Sequence, residues 1–311
     1  MTALVDVAGH LPALSVPLED LADRLELQPR ELGVLRRFHG LAAVARQRPG
    51  ETLVDLLVSA ARGLTRLRGR EADVRYVLHA RGMPVAAPYP VNPVREVARQ
   101  LGLHRAGVFT VTHQACATSL LAIDAAGRLL AADGDPDGLA LVLGGETIWT
   151  GEAEYVPEIS VFGEAAGACL VAADGARDRV LSYFSRSRGE YDGHVVEDPE
   201  LLSRFQRDYP VALAEVVLGA VERAGLTLAD IELILPHNVN TVSWRQLARR
   251  IGYPVERVVL DNVPVAGHSF AADAFLNYAT ARDRGLLVRG RPYLIGAAGL
   301  GATFSAMVLQ H

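Results

Sequence analysis

Apolar residues along this chain follow two periods, and they do so twice in the same order. Residues 52–68 repeat apolar positions at helical spacing, and 72–79 then alternate as a strand does. Residues 210–224 and 229–236 repeat that pair. Each is followed by a short helix with similar letters, Val-Ala-Arg-Gln-Leu-Gly at 97–102 and Leu-Ala-Arg-Arg-Ile-Gly at 247–252. Next in each copy come a strand (108–111; 258–260), a tight turn (around Cys116; around Gly267) and an apolar helix. Both copies close on a buried strand, 139–144 and 292–296. The offset is about 150 residues, the mark of an internal repeat.

Strands alternating with helices predict an α/β protein with mostly parallel sheets covered by helices. The repeat divides the chain into an N-terminal half, 1–170, and a C-terminal half, 171–311. Ligands in such folds sit in the turns after strand ends, so two equivalent halves aim Cys116 and the 267–273 turn at one central site.

Composition narrows the function. The chain has 311 residues, is 50% hydrophobic and carries a formal charge of −5, which gives no electrostatic case for nucleic acid. All 31 basic residues are arginine, a bias that genomic base composition explains more simply than phosphate binding. Two cysteines, Cys116 and Cys169, argue against a disulfide framework and fit a reducing compartment. No apolar run reaches the ~18 residues of a membrane span, and the N-terminus lacks a signal-peptide pattern. A cytoplasmic protein is expected. Neither a phosphate-binding glycine motif nor HExxH or CxxC spacing occurs, so no metal or nucleotide cofactor is expected.

Candidate chemistry begins at Cys116. Residues 106–127 read as strand, turn and helix, which places the thiol near a helix N-terminus that favours thiolate. Ala115 and Ala117 leave room for a substrate on both sides. In the second copy Gly267 permits a sharp turn, His268 stands before an apolar helix, and Asp273 lies in its first turn. Cysteine, histidine and a carboxylate that fixes the tautomer are the kit for covalent acyl transfer. His237, in Pro236-His-Asn-Val-Asn240, ends a buried strand. Residues 296–303 offer backbone N–H groups around Gly299 and Gly301 for a thioester oxygen. His113 and Gln114 flank the nucleophile, Cys169 reads as inert core, and the acidic stretch 190–200 reads as a surface insertion.

Together these residues resemble the β-ketoacyl-ACP synthase III family, of thiolase fold. The resemblance rests on Cys116 after a strand, Phe162-Gly-Glu-Ala-Ala-Gly-Ala, Pro236-His-Asn-Val-Asn240, Gly267-His-Ser and Gly299-Leu-Gly301. It implies two duplicated βαβαβαββ halves in five α-β-α-β-α layers. It also implies a homodimer, an acyl-Cys116 intermediate and a thioester donor on acyl carrier protein or coenzyme A. Tyr89 would border the partner's acyl pocket, Asn240 would help bind substrate, and Arg249 and Arg250, on the helix of Trp244, would dock an acidic carrier. One departure matters: condensing members carry Asn where this chain has His268. With Asp273 on one ring nitrogen, His268 offers the other as a base. The pattern resembles the family's Cys-His-Asp acyltransferase branch, which implies transfer to a small-molecule hydroxyl or amine, as in specialised-metabolite or antibiotic assembly. The alternatives are a decarboxylating condensing enzyme, with His237 retained, and a non-catalytic partner subunit.

Overall fold

Strands β1 (Ala3–His10), β2 (Val74–Ala80), β3 (Gly107–Val111), β4 (Leu139–Gly145) and β5 (Ala166–Ala172) form the first half's sheet in the computed structural model, which describes residues 1–83, 87, 90–157, 159–191 and 197–311. Their order is β3-β2-β4-β5-β1, with β2 parallel to β3 and β4, and β5 antiparallel to both of its neighbours. β4 and β5 are buried along their whole length, as near-continuous apolar strands must be when helices cover both faces.

The second half repeats the plan. Strands β6 (Arg179–Ser187), β7 (Leu233–Leu235), β8 (Pro292–Gly299) and β9 (Thr303–Gln310) run in the order β7-β8-β9-β6. β7 is parallel to β8, and β9 is antiparallel to β8 and β6. The strand expected over 258–260 reduces to one parallel bridge between Ile234 and Val258. A 3₁₀ turn (Val255–Arg257) before it and a helical turn (Val263–Ala266) after it leave no length for a ladder. The two sheets touch at one pair, Ala3 with Arg179. β5 spans position 170, so the halves meet in the 173–178 connection rather than at 170/171.

Five layers result. Helices α1 (Leu53–Arg62) and α2 (Pro93–Gln100) cover the outer face of the first sheet. Helices α4 (Pro199–Arg223) and α5 (Thr241–Ile251) cover the outer face of the second. Between the sheets lie α3 (Thr118–Asp133) and α6 (Asp273–Asp283), apolar on most sides because they are covered on most sides. Leu120 and Ile123 of α3 meet Phe275 and Tyr278 of α6 in one core with Leu78, Val142, Ile295 and Met307. Each such fully buried side chain contributes about 1.5–3 kcal/mol. Gly167 lets α6 come this close, since a Cβ there would stand 2.8 Å from Phe275 Cγ. By length and composition, residues 115–133 could also cross a membrane, but more than half of that stretch is buried inside the protein.

Several element limits differ from the sequence pattern. The helix expected over 52–68 stops at Arg62 and gives way to a 3₁₀ turn at Thr65–Leu67. The one expected from Pro210 starts at Pro199, where Asp198 accepts from Glu200 N (2.9 Å) and Leu201 N (3.1 Å). Pro210 is inside the helix, not at its start. Of the acidic stretch, residues 192–196 lie outside the described residues, Pro199 and Glu200 are helical, and Tyr191 is buried against Phe205 rather than on the surface.

Candidate active site

The two turns that carry the chemistry are built alike. After β3, His113 (φ 73°) and Ala115 (φ 43°) lie in the left-handed region, and Cys116 follows in a 3₁₀ turn that runs into α3. In the second half, Gly267 (φ 66°) precedes His268, and Phe270 (φ 51°) opens the 3₁₀ turn into α6. Non-glycine residues in this region store about 1–3 kcal/mol each, and such strain concentrates at functional sites. Gly267 is required: a Cβ there would stand 2.7 Å from Val44 Cγ1 and 2.9 Å from the Val161 carbonyl.

His268 is buried with Nδ1 2.5 Å from Asp273 Oδ2 and lines the same small chamber as Cys116. Phe162 flanks its ring at 4.7 Å. Burial disfavours the imidazolium, but Cys116 and Asp273 outweigh it and push the pKa up to about 10. Asp273 is held on both oxygens: Oδ2 also accepts from Asn238 N (2.6 Å), and Oδ1 from Asn238 Nδ2 (3.0 Å) and Ser269 N (2.9 Å). Asn277 Nδ2 donates to Asn238 Oδ1 (2.8 Å) and to the Pro236 carbonyl (2.6 Å), which fixes the orientation of the Asn238 amide.

His237, just past β7, stands 5.5 Å ring to ring from His268. Its carbonyl accepts from the buried Trp244 indole at 2.8 Å, and its Nε2 is 2.7 Å from Tyr209 Oη. Burial, then the charge of His268, hold its pKa well below the usual imidazole value, against the effect of the Gly296 backbone. These groups line a chamber of about 40 Å³ with Cys116, Phe162 and Leu300. A second cavity of about 170 Å³, lined by Gln206, Asn240, Ser243 and Gln246, shares Ile159, Phe205, Tyr209 and Val239 with it. The thiol is thus reached through a neck.

The sequence pattern locates the centre of the site but not all of its rim. Gly299 is the last residue of β8, and Gly296–Gly299 pair with β9, so the expected loop shrinks to residues 300–302. A Cβ on Gly299 would come within 2.9 Å of Cys116 N and 2.7 Å of Ala115 Cβ, so it backs the nucleophile turn. Gly301 (φ 110°) is exposed in the turn, and Leu300 lines the chamber instead. Asn240 caps α5: Oδ1 accepts from Ser243 N (2.7 Å) and Nδ2 donates to the Ile159 carbonyl (3.1 Å). It borders the outer cavity rather than the thiol. Arg249 and Arg250 are exposed in the last turn of α5, whereas Trp244 is fully buried. His113 is exposed, and Gln114 Oε1 accepts from Tyr183 Oη at 3.3 Å. Cys169 is buried in β5, where burial pushes its thiol pKa well up. Tyr89 lies outside the described residues.

Tyr209, Asn277 and Glu146 do not stand out in the sequence, and Asn238 does so only as part of the 236–240 motif, with no role of its own. The spacing of Asn277, four residues after Asp273 and so on the same helix face, is the one available signal. Glu146, at the end of β4, accepts from Met83 N (2.9 Å) and Gly82 N and lies 3.9 Å from Arg81. Burial, opposed by these donors, pushes its pKa up to about 7.

This duplicated architecture, with a cysteine in one half's turn and histidines in the other's, is the thiolase fold. Residues 221–311 match the family model for the C-terminal part of 3-oxoacyl-[acyl-carrier-protein] synthase III. The β-ketoacyl-[acyl-carrier-protein] synthase III of Rhodobacter capsulatus is 30% identical, with 99% of this chain and 98% of that one covered. Among solved structures, the synthase III of Thermus thermophilus superposes with a TM-score of 0.83 at 23% identity, covering 99% of both chains. ChlB3, described as an acyltransferase, superposes at 0.85 with 19% identity over 99% of this chain and 97% of that one. The chain belongs to the β-ketoacyl-ACP synthase III family of enzymes.

Proposed function

We propose that this enzyme is an acyltransferase that works through a Cys116 thioester. The observation that carries the reading is the 2.5 Å contact of His268 Nδ1 with the fully hydrogen-bonded Asp273, which leaves the other ring nitrogen to move protons. In the first half-reaction Cys116 Sγ attacks the donor thioester, the carbonyl carbon's bond to the carrier sulfur breaks, and His268 gives its proton to the departing thiolate. Having given up that proton, the imidazole is left neutral beside Asp273. In the second half-reaction it takes a proton from an acceptor hydroxyl or amine. The acceptor then displaces Cys116, which leaves as thiolate.

The donor is an acyl carrier protein or coenzyme A thioester, and no further cofactor is required. Arg249 and Arg250, exposed on the helix that borders the outer cavity, suit an acidic carrier. A homodimer is proposed because β3 is an edge strand with Phe109 exposed, a face that a second copy would cover. Specialised-metabolite assembly in the cytoplasm is the setting we propose.

A second reading, decarboxylating condensation, is favoured by the names of the sequence relatives, which are β-ketoacyl-ACP synthases III. Intact-protein mass spectrometry with acyl-CoA and acyl-ACP thioesters, malonyl included, separates the two. A Cys116 adduct that retains the malonyl carboxylate supports transfer. An acetyl-sized adduct with release of CO₂ supports condensation, and no adduct from any donor sinks both.

A further inference from the structure

Tyr209 is fixed on several sides. Its ring packs edge-on against Phe205 (centroids 5.6 Å, 82°) and Phe304 (5.4 Å, 67°), and its backbone belongs to the middle of α4, directly before Pro210. It lines both cavities and so stands at the neck between them. Its hydroxyl, 2.7 Å from His237 Nε2, uses the nitrogen with which that imidazole would otherwise meet a ligand. The other nitrogen, Nδ1, is buried and turned toward the Gly296 backbone, away from the chamber's Tyr209 side. Burial lowers the His237 pKa and raises that of Tyr209, so a neutral imidazole faces a neutral phenol. Whichever group donates, Nε2 is already paired.

We infer that Tyr209 determines reaction specificity, by holding His237 away from the acyl carbonyl so that the chamber does not stabilise an enolate. This rests on the transfer reading above. When a malonyl thioester loses CO₂, the bond to the carboxylate breaks and its electron pair passes into the thioester. The resulting enolate oxygen needs hydrogen-bond donors, and the carbon then takes a proton from water. A His237 bound to Tyr209 supplies no such donor, whereas freed from it the ring could point Nε2–H at the oxygen.

The test compares wild type, Tyr209→Phe and Tyr209→Phe/His237→Ala, each incubated with carboxyl-labelled malonyl-CoA while labelled CO₂ is counted. Phenylalanine keeps the ring between Phe205 and Phe304 and removes only the hydroxyl. CO₂ release is expected to rise roughly 10²–10³-fold in the single variant, the scale of one enolate-stabilising donor, and to return to the wild-type level in the double variant. An unchanged rate in the single variant overturns the proposal, as does a gain that survives loss of His237. If a variant does not fold, histidine ¹⁵N NMR on the wild-type enzyme decides the matter instead. A neutral His237 whose Nε2 signal is hydrogen-bonded supports the proposal, and an unbonded Nε2 overturns it. Failure to transfer any acyl group to hydroxyls or amines, with the Tyr209 effect intact, would remove the transfer reading alone.

Discussion

His268 has a strong base-forming partner on one nitrogen and the nucleophile near the other, and both favour its charged form against the cost of burial. Asp273→Asn keeps the volume but replaces one accepting oxygen by a donor, removes the charge and upsets the tautomer. Turnover is expected to fall roughly 10³–10⁴-fold by steady-state kinetics, as when a triad aspartate is lost, with a stability loss of about 1–3 kcal/mol by denaturant unfolding. Wild-type turnover would reduce Asp273 to a helix-terminus residue. Glu146 gives a pH prediction of the opposite kind. Its carboxyl is held neutral up to about pH 7 in the folded state but ionises near 4.5 when unfolded. The folded state therefore binds the extra proton, and stability from this group is complete below pH 4.5 and lost as pH rises through 7. Glu146→Gln should abolish up to about 3 kcal/mol of that decline, measured by denaturant unfolding at pH 4.5 and 8. Equal slopes in the two proteins would mean that Arg81 and the two backbone donors keep the carboxylate ionised throughout.

At the scale of elements, α6 places Asp273 and Asn277 one turn apart, so one helix supplies both the carboxylate and the amide that orients its partner Asn238. Asn277→Ala should cost about 1–3 kcal/mol, because the Pro236 carbonyl and Asn238 Oδ1 lose their donor in the core. The pH–rate profile should also shift, since Asn238 becomes free to turn its oxygen toward Asp273; a profile identical to wild type would make Asn277 purely structural. β8 works by close approach: Gly299→Ala puts a methyl against Cys116 N and Ala115, at an expected cost of about 1–3 kcal/mol and slower acylation in rapid-quench mass measurements. Helices and buried strands are legible because their apolar periods survive in the letters. Tyr209 is not, because Pro210 reads as a first helical residue and so places the tyrosine outside the helix. Asn240 is ambiguous for a related reason, since a cap and a substrate ligand use the same residue type.

For the whole molecule, the internal repeat predicts the paired-half plan, apart from the 258–260 strand, the join between halves and the sense of the ladders. β2-β3, β2-β4 and β7-β8 are parallel, but the other pairings are antiparallel, not the mostly parallel sheets that the alternation of strands and helices suggests. Cys116, His268 and Asp273 are legible because strand-end turns in matching copies must converge. The rim is not, because it comes from the part of α4 before Pro210 and from the short 300–302 turn, neither of which is marked by the repeat. If β3 is covered by a second copy, analytical ultracentrifugation should give a dimer at micromolar concentration, and Phe109→Lys should weaken it by about 1–3 kcal/mol. A wild-type monomer would remove that role for the edge.

The contact of Gly299 with the Cys116 turn also has a consequence for biosynthesis. The nucleophile is synthesised early, yet the wall behind it belongs to β8, which in the finished sheet is joined to the first half through β9 and β6. A nascent chain stopped before residue 292 holds the thiol without the surface that positions a thioester against it. Acyl capture is therefore expected only from chains that include β8, and ribosome-stalled chains ending before and after it, compared for acylation of Cys116, check this.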